Sequence, residues 1–355
     1  MTGQIRNRKR LLAGLASVAL VLAACTSSAA TPAASTAPAA AASAAAGGAA
    51  TEVPGATTIP GIKANKPYRV AVLFPNAGDP YFQQKRYGYE DEAKKAGIEL
   101  TFFDAGGYAN IDKQIAQIED ATQQKFDAIA IAVTSSTATV PSLEAAVAQG
   151  ILVVGDGVFP ESDKVIKRGE DSEMAGYNAG RYLGNALKDG GSVGLLLGPP
   201  GIDLIHLREV GVKKGLAEFP NVTIAQGLNN LSDLVSSTKA AEDILQAHPD
   251  VKGFYAFNSV VAQAIVSALK SAGKKPGEVQ VATVDMDPDL EQMMKDGWVQ
   301  ETNVAGSVLL GRVVVDTIVQ KLNGQDVPAE GYLKPNEITK DNLVSFDRSI
   351  LYPPQ

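Results

Sequence analysis

From residue 68 to residue 304, short uninterrupted apolar runs alternate with longer amphipathic stretches, and this rhythm constrains the fold more than any other feature of the chain. Residues 70–74 read as a buried strand and 81–95 as a helix ending near Gly97. Residues 100–103 read as a strand and 111–124 as a helix with Ile111, Ile115, Ile118 and Ala121 on one face. Strands at 129–133, 151–154 and a short one at 165–167 follow, with a helix at 143–149. A strand wetted on one face alternates apolar and polar residues; these are apolar throughout, as in a parallel sheet covered on both sides. The rhythm restarts with a helix at 174–188. Strands at 193–197, 222–225, 253–257, 279–284 and 299–304 then alternate with helices at 204–219, 237–247, 260–271 and 288–295. The two halves share no sequence repeat, but each has the order of a doubly wound α/β unit. Such units bind ligands beyond the carboxyl ends of their strands, so the residues just after each strand are the ones to inspect.

The first residues carry a different message. Arg6, Arg8, Lys9 and Arg10 form a positive patch, and an uncharged apolar run from Leu11 to Ala24 stops at Cys25. That layout predicts a secretory signal peptide over 1–24 and a protein that works outside the cytoplasm. The run falls short of the roughly 20 residues that a helix needs to cross a bilayer. Leu22-Ala23-Ala24-Cys25 resembles a bacterial lipoprotein processing site, which implies cleavage before Cys25 and acylation of its thiol and new amino group. The other reading is a plain signal peptide with an incidental cysteine. From 26 to about 66 the chain is Ala, Ser, Thr, Pro and Gly with a single acid, Glu52. Too few large apolar side chains are present to offset the entropy of ordering, and Pro32 and Pro38 interrupt any helix. Residues 25–66 are therefore expected to form a tether that holds a folded domain off the membrane.

Composition narrows the functional classes. The net charge of −7, with no basic stripe beyond the signal segment, argues against a nucleic-acid surface. Cys25 is the only cysteine, so no internal disulfide can form. The two histidines, His206 and His248, have no partner cysteines, and neither a zinc site nor a cofactor is expected. No nucleophile elbow, phosphate loop or dinucleotide fingerprint is present.

The strand ends carry an ordered set of residues. Phe74-Pro75-Asn76-Ala77-Gly78-Asp79-Pro80-Tyr81-Phe82 follows the first strand and Gly155-Asp156-Gly157 the fourth. Later strands end in Ala256-Phe257-Asn258 and Thr283-Val284-Asp285, and Arg208 lies in the helix after Gly198-Pro199-Pro200-Gly201. From about Pro67 to Leu343 this resembles the type I periplasmic binding proteins, in particular the ribose and galactose/glucose group. The resemblance implies two Rossmann-like α/β lobes joined by three crossovers. The lobes would be 67–170 with 305–333, and 171–304 with 334–355. A monosaccharide, an aldose such as glucose, ribose or xylose, would be trapped between them. Its delivery to an ABC transporter permease follows, by a monomer that meets the membrane through its lipid alone.

Residue by residue, the resemblance places Asp79, Tyr81 and Phe82 on the ligand from the first lobe, with Asp156 from the fourth loop. From the second lobe it places Arg208, Asn258 and Asp285, and less closely Asn303, since a simple alignment puts Ala305 there. Carboxylates accept from sugar hydroxyls, an arginine donates in a fixed fork, and an aromatic face covers ring C–H groups. Three positions depart from the group's pattern. Gly157 stands where the ribose binder has an arginine, Pro75 where a hydroxyl residue is common, and the second lobe's aromatic is replaced by something near Leu231. No acidic calcium loop of the galactose type is visible.

Plainer roles are open for several of these residues. Asp79 before Pro80 is a good helix N-cap, Asn258 could cap the helix beginning at Ser259, and Asp287 is the better cap beside Asp285. Tyr81 and Phe82 could be core, Asp156 a turn residue, Arg208 a surface ion pair near Glu209, and Trp298 a packing residue at the start of a strand. Rival classes are a carbohydrate-active enzyme with Asp156 and Asp285 as facing carboxylates, and a receptor that passes its bound state to a membrane sensor. A repressor would need a basic helix-turn-helix where the signal peptide and tether stand.

Overall fold

The computed structural model describes residues 57–353. Cys25, the signal segment and most of the expected tether lie outside the described residues.

The first lobe runs β1 (Arg69–Phe74), α1 (Pro80–Ala96), β2 (Glu99–Asp104), α2 (Ile111–Gln123), β3 (Ala128–Ile131), α3 (Val140–Ala148), β4 (Leu152–Asp156) and β5 (Ile166–Glu170). The second begins with α4 (Ser172–Ala186), β6 (Gly191–Leu196), α5 (Asp203–Ala217), β7 (Val222–Leu228) and α6 (Leu234–Ala247). It continues through β8 (Gly253–Ala256), α7 (Ser259–Ser271), β9 (Gln280–Val284), α8 (Pro288–Lys295) and β10 (Glu301–Val304). The chain then returns to the first lobe with α9 (Ser307–Leu322) and β11 (Glu330–Leu333), and crosses again to β12 (Asn336–Thr339). It passes between the sheets three times, after β5, after β10 and between β11 and β12.

Each lobe is a six-stranded sheet, in the order β11-β5-β4-β3-β1-β2 and β12-β10-β9-β8-β6-β7. All pairings are parallel except that of β12 with β10. The centres of β1, β3 and β4 are wholly buried, as their unbroken apolar composition requires. The edge strands β11 and β12 carry no such run and are not legible as strands in the sequence. Among the described residues no helix is long and apolar enough to cross a membrane.

Two helix contacts are closer than the rest, and glycines make both. A methyl group on Gly88 of α1 would strike the Val308 carbonyl of α9, and one on Gly311 the Lys85 carbonyl. In the second lobe Gly176 and Gly180 of α4 meet the backbone of Arg208 and Val212 on α5, while Gly211 and Gly215 meet Glu173 and Tyr177 in return. Each contact fixes one helix of the cleft wall against a helix that follows a crossing of the chain.

Residues 57–66, expected from composition to be tether, are laid along the first lobe instead. The Ile59 amide donates to Asp316 Oδ2 at 2.6 Å and the Ala64 amide to the Ala96 carbonyl at 2.9 Å. Asn323 accepts from the Asn65 amide at 3.0 Å and donates to the Lys63 carbonyl at 2.8 Å. The segment's polar backbone is paired by side chains some 260 residues away, which its own composition cannot reveal. Trp298, read as the start of a strand, precedes β10. Its amide closes the end of α8 on Met293, and its ring packs under Lys270 at 5.2 Å.

Candidate ligand-binding cleft

The carboxyl ends of the strands of both sheets open on one shared cavity. The lobes touch around it. Gln84 donates to the Met286 carbonyl at 3.0 Å, and the Asp203 amide to Ser136 Oγ at 3.3 Å, so the cleft is in a closed arrangement. The first lobe lines it with Asn76, Asp79, Tyr81 and Phe82, then Gly107, Tyr108 and Val158. The second contributes Arg208, Asn258, Ser259 and Asp285, with Ser232, Phe257 and the aliphatic turn around Ile202 and Ile205.

Asp79 has both of its possible roles. It caps α1 by accepting from the Tyr81 amide at 2.9 Å, and it faces the cavity. Burial pushes its carboxyl up, with Asp287 adding to the effect. Tyr81 and Phe82 stand edge to face at 5.3 Å; Phe82 also packs on Phe74 at 5.1 Å, so it serves core and cavity together. Asn258 caps α7 through its Oδ1, which accepts from the Val261 amide at 3.0 Å. Capping leaves its amide nitrogen free of that bond on a cavity-lining side chain.

Arg208 is 2 % exposed and makes no surface pair; Glu209 pairs with Lys213 instead. Its Nη1 donates to the Phe257 carbonyl at 2.6 Å and to Asp285 Oδ2 at 3.3 Å. Its Nη2 reaches Asp285 Oδ1 at 3.4 Å and forms a close pair with Glu170. Burial works against its charge, yet Asp285 and Glu170 outweigh that and hold it protonated. Asp285 sits at φ 70, a left-handed conformation uncommon for a residue with a side chain, which turns the carboxyl toward Arg208. Burial pushes that carboxyl up to about 7 against the pull of Arg208, with Glu170 and Asp79 adding to the rise. Asp287, not Asp285, caps α8, accepting from the Leu290 amide at 2.9 Å.

Two expected contacts are not brought to the cavity. Asp156 is fully buried beneath it: one carboxylate oxygen is 3.0 Å from Lys85 Nζ and the other accepts from Tyr89 at 2.9 Å. Gly157 leaves room beside the lysine; a Cβ there would lie 3.1 Å from Nζ. Asn303 points to the α4 side of its sheet, where it accepts from Asn178 at 3.0 Å and pairs closely with Glu301. Its position within β10 decides this, since the cleft lies beyond the carboxyl end of the strand and Asn303 is still inside it. Ala305, one strand period further, borders a small cavity beside Tyr81 and Asp285.

Sequence reasoning missed Tyr108, Phe257, Lys85 and Glu170. Leu231, inspected for the second lobe's aromatic, is buried core, and the aromatic of that lobe on the cavity is Phe257 at the end of β8. Phe257 and Tyr108 both follow strands and could have been found by that rule. Lys85 and Glu170 carry no local signal. Among the described residues no cluster of three or more His, Cys, Asp or Glu side chains is arranged to hold a metal ion.

This architecture has close counterparts. The periplasmic binding protein domain model matches residues 70–326. The ribose import binding protein of Bacillus subtilis is 27 % identical over 263 residues, covering 74 % of this chain and 84 % of that protein. The D-allose-binding periplasmic protein of Escherichia coli is 23 % identical over 270 residues, covering 73 % and 86 %. A solute-binding protein of an ABC transporter from Burkholderia graminis, solved with D-arabinose, superposes with a TM-score of 0.75 at 28 % identity, covering 80 % of this chain and 99 % of that one. Two α/β lobes closing on a shared cleft, matched by a family model over most of the folded residues, place the chain in the periplasmic binding protein domain family.

Proposed function

We propose that this protein captures one monosaccharide, an aldose such as glucose, ribose or xylose, between its lobes and delivers it to the permease of an ABC importer. One observation carries the reading: Asp79, Asn258, Asp285 and Arg208 converge from the strand ends of two sheets on a cavity also walled by Tyr81, Phe82, Tyr108 and Phe257. Acids, an amide and a guanidinium supply donors and acceptors for several hydroxyls, and the aromatic faces suit the apolar faces of a sugar ring. The ribose- and allose-binding names of the relatives support the same ligand class. A binding role accords with the buried Asp156, which does not face Asp285 as one of a pair of hydrolytic carboxylates would. Calorimetry against neutral aldoses is the test. One of them is expected to bind with 1:1 stoichiometry; a protein that binds peptide or nucleic acid and no sugar would overturn the reading.

The same proposal places the protein outside the cytoplasm, held to the membrane by a lipid on Cys25. Its support is the charged patch, short apolar run and sole cysteine of the first residues. Cys25→Ala is expected to shift the protein from the membrane fraction to the soluble extracytoplasmic fraction, and full retention would refute the anchor.

A further inference from the structure

We propose that Glu170 is the positioning residue that fixes Arg208 for a neutral sugar and turns anionic sugars away from the cleft. The proposal rests on the reading of the cleft as a monosaccharide site.

Glu170 ends β5, where the chain first passes between the sheets, and it is 5 % exposed. Arg208 stands on α5, whose backbone is held against Gly176 of α4. Helix α4 starts two residues after Glu170, so one rigid helix contact sets both ends of the ion pair. The pairing leaves the guanidinium little freedom. Nη1 is taken by Phe257 and Asp285, Nη2 by Glu170 and Asp285, while Nε is buried without a partner. A guanidinium has five donor hydrogens in a rigid fork, so fixing both terminal nitrogens also fixes the direction of the Nε hydrogen. Arg208 therefore lines the cavity with its guanidinium plane held in one orientation.

The charges give this arrangement its selectivity. One guanidinium meets two carboxyl groups in the cluster, and Asp79 adds a third on the cavity wall. A hydroxyl can bond to such a cluster, but the carboxylate of a uronic or aldonic acid brings a like charge into a buried site. Without Glu170, Nη2 of Arg208 would keep only its 3.4 Å contact with Asp285, leaving a donor hydrogen and positive charge to spare for a sugar acid. Selectivity should also follow pH, since the Asp285 carboxyl is pushed up to about 7. The groups that face it are Arg208, Glu170 and Asp79, with the buried phenols of Tyr81, Tyr108 and Tyr255. Below that pH Asp285 holds its proton, the cluster loses a negative charge, and anions are disfavoured less.

The test is calorimetry on the full protein with the aldose that binds best and its aldonate, and with D-galactose and D-galacturonate. The wild type is expected to prefer the neutral member by about 100-fold or more, and Glu170→Gln to narrow that ratio by about tenfold or more. Glu170→Asp, which keeps the charge, should retain the wild-type ratio. In the wild type the ratio should grow between pH 6 and pH 8. A Glu170→Gln protein that weakens both members equally, or keeps the ratio, shows a merely structural role and overturns the proposal. If circular dichroism shows that this variant does not fold, Glu170→Ala is measured in its place, and an unchanged ratio overturns the proposal. A wild type that binds no sugar at all brings down the monosaccharide reading and this inference with it.

Discussion

The ammonium of Lys85 lies 3.0 Å from a carboxylate oxygen of Asp156, with both side chains wholly removed from solvent. Tyr89 occupies the second carboxylate oxygen, and the lysine also stands 4.4 Å from the centre of the Tyr81 ring. The pair therefore lies directly behind an aromatic wall of the cleft. Its two charges are balanced, which lets an acid expected on the ligand become part of the floor beneath it.

Removing one partner strands the other in the interior. Lys85→Met is expected to cost about 3–5 kcal/mol of folding stability, as for other broken buried pairs. The double variant Lys85→Met with Asp156→Asn should recover a substantial part of that loss, because no net charge is then buried. Urea unfolding of the wild type, the two single variants and the double variant completes the cycle; a loss in the double variant equal to the sum of the two single losses would disprove the coupling.

Asp285→Asn keeps the shape of the side chain and a residue type that tolerates the left-handed backbone at φ 70. It removes a charged acceptor from the cleft, so sugar affinity should fall by about 1.5–3 kcal/mol. Ligand-free melting at pH 8 should hold or rise, since a buried negative charge is gone. The rise in melting temperature on adding sugar should shrink in proportion to the lost affinity. A variant that keeps its full ligand-induced shift would exclude Asp285 from the site.

Gly176→Ala places a methyl group against the Arg208 carbonyl in the α4–α5 contact. Backbone has to move to admit it, at an expected cost of about 1–3 kcal/mol. Since the moving helix carries Arg208, sugar affinity should fall as well. Gly227→Ala, where a Cβ meets nothing within 4 Å and the backbone is not left-handed, is the control for adding a methyl group alone. Calorimetry and thermal melting on both separate the two effects.

Stability should fall as pH rises through neutrality. Burial pushes the Asp316 carboxyl up to about 7, as it does Asp285, and raises Glu301 well above the carboxylate range. A carboxyl with a raised folded-state pKa keeps its proton in the native protein after the unfolded chain has lost its own. Native stability thus declines between about pH 4 and the folded value, by up to about 1.4 kcal/mol per pH unit for each group. Asp316→Asn should flatten part of this decline, measured as melting temperature from pH 5 to 8. It keeps an acceptor for the Ile59 amide, so the docked segment should remain protected from proteolysis.

Much of this protein was legible in one dimension. Continuous apolar runs bounded by amphipathic stretches dictate buried parallel strands and covering helices, because each strand must exclude water from both faces. The rule that ligands gather beyond strand ends led to Asp79, Asn258 and Asp285, and it would have led to Tyr108 and Phe257 had it been applied to every strand. Cap chemistry was readable too, since Asp79, Asn258 and Asp287 bond amides two or three residues away.

What the sequence could not settle depends on partners distant along the chain. Whether Asp156 faces a sugar or a lysine depends on Lys85, a turn down α1 from the cleft. Residues 57–66 look like tether until Asp316 and Asn323 arrive to pair their backbone. Glu170 has no local mark of function; it gains one because glycines let α4 and α5 approach until its carboxylate meets Arg208. Local composition determines which backbone a segment adopts, since that balance is struck within a few residues. The pairing of buried charges is decided only when packing brings distant groups within hydrogen-bond reach, where a low dielectric makes every unpaired one costly.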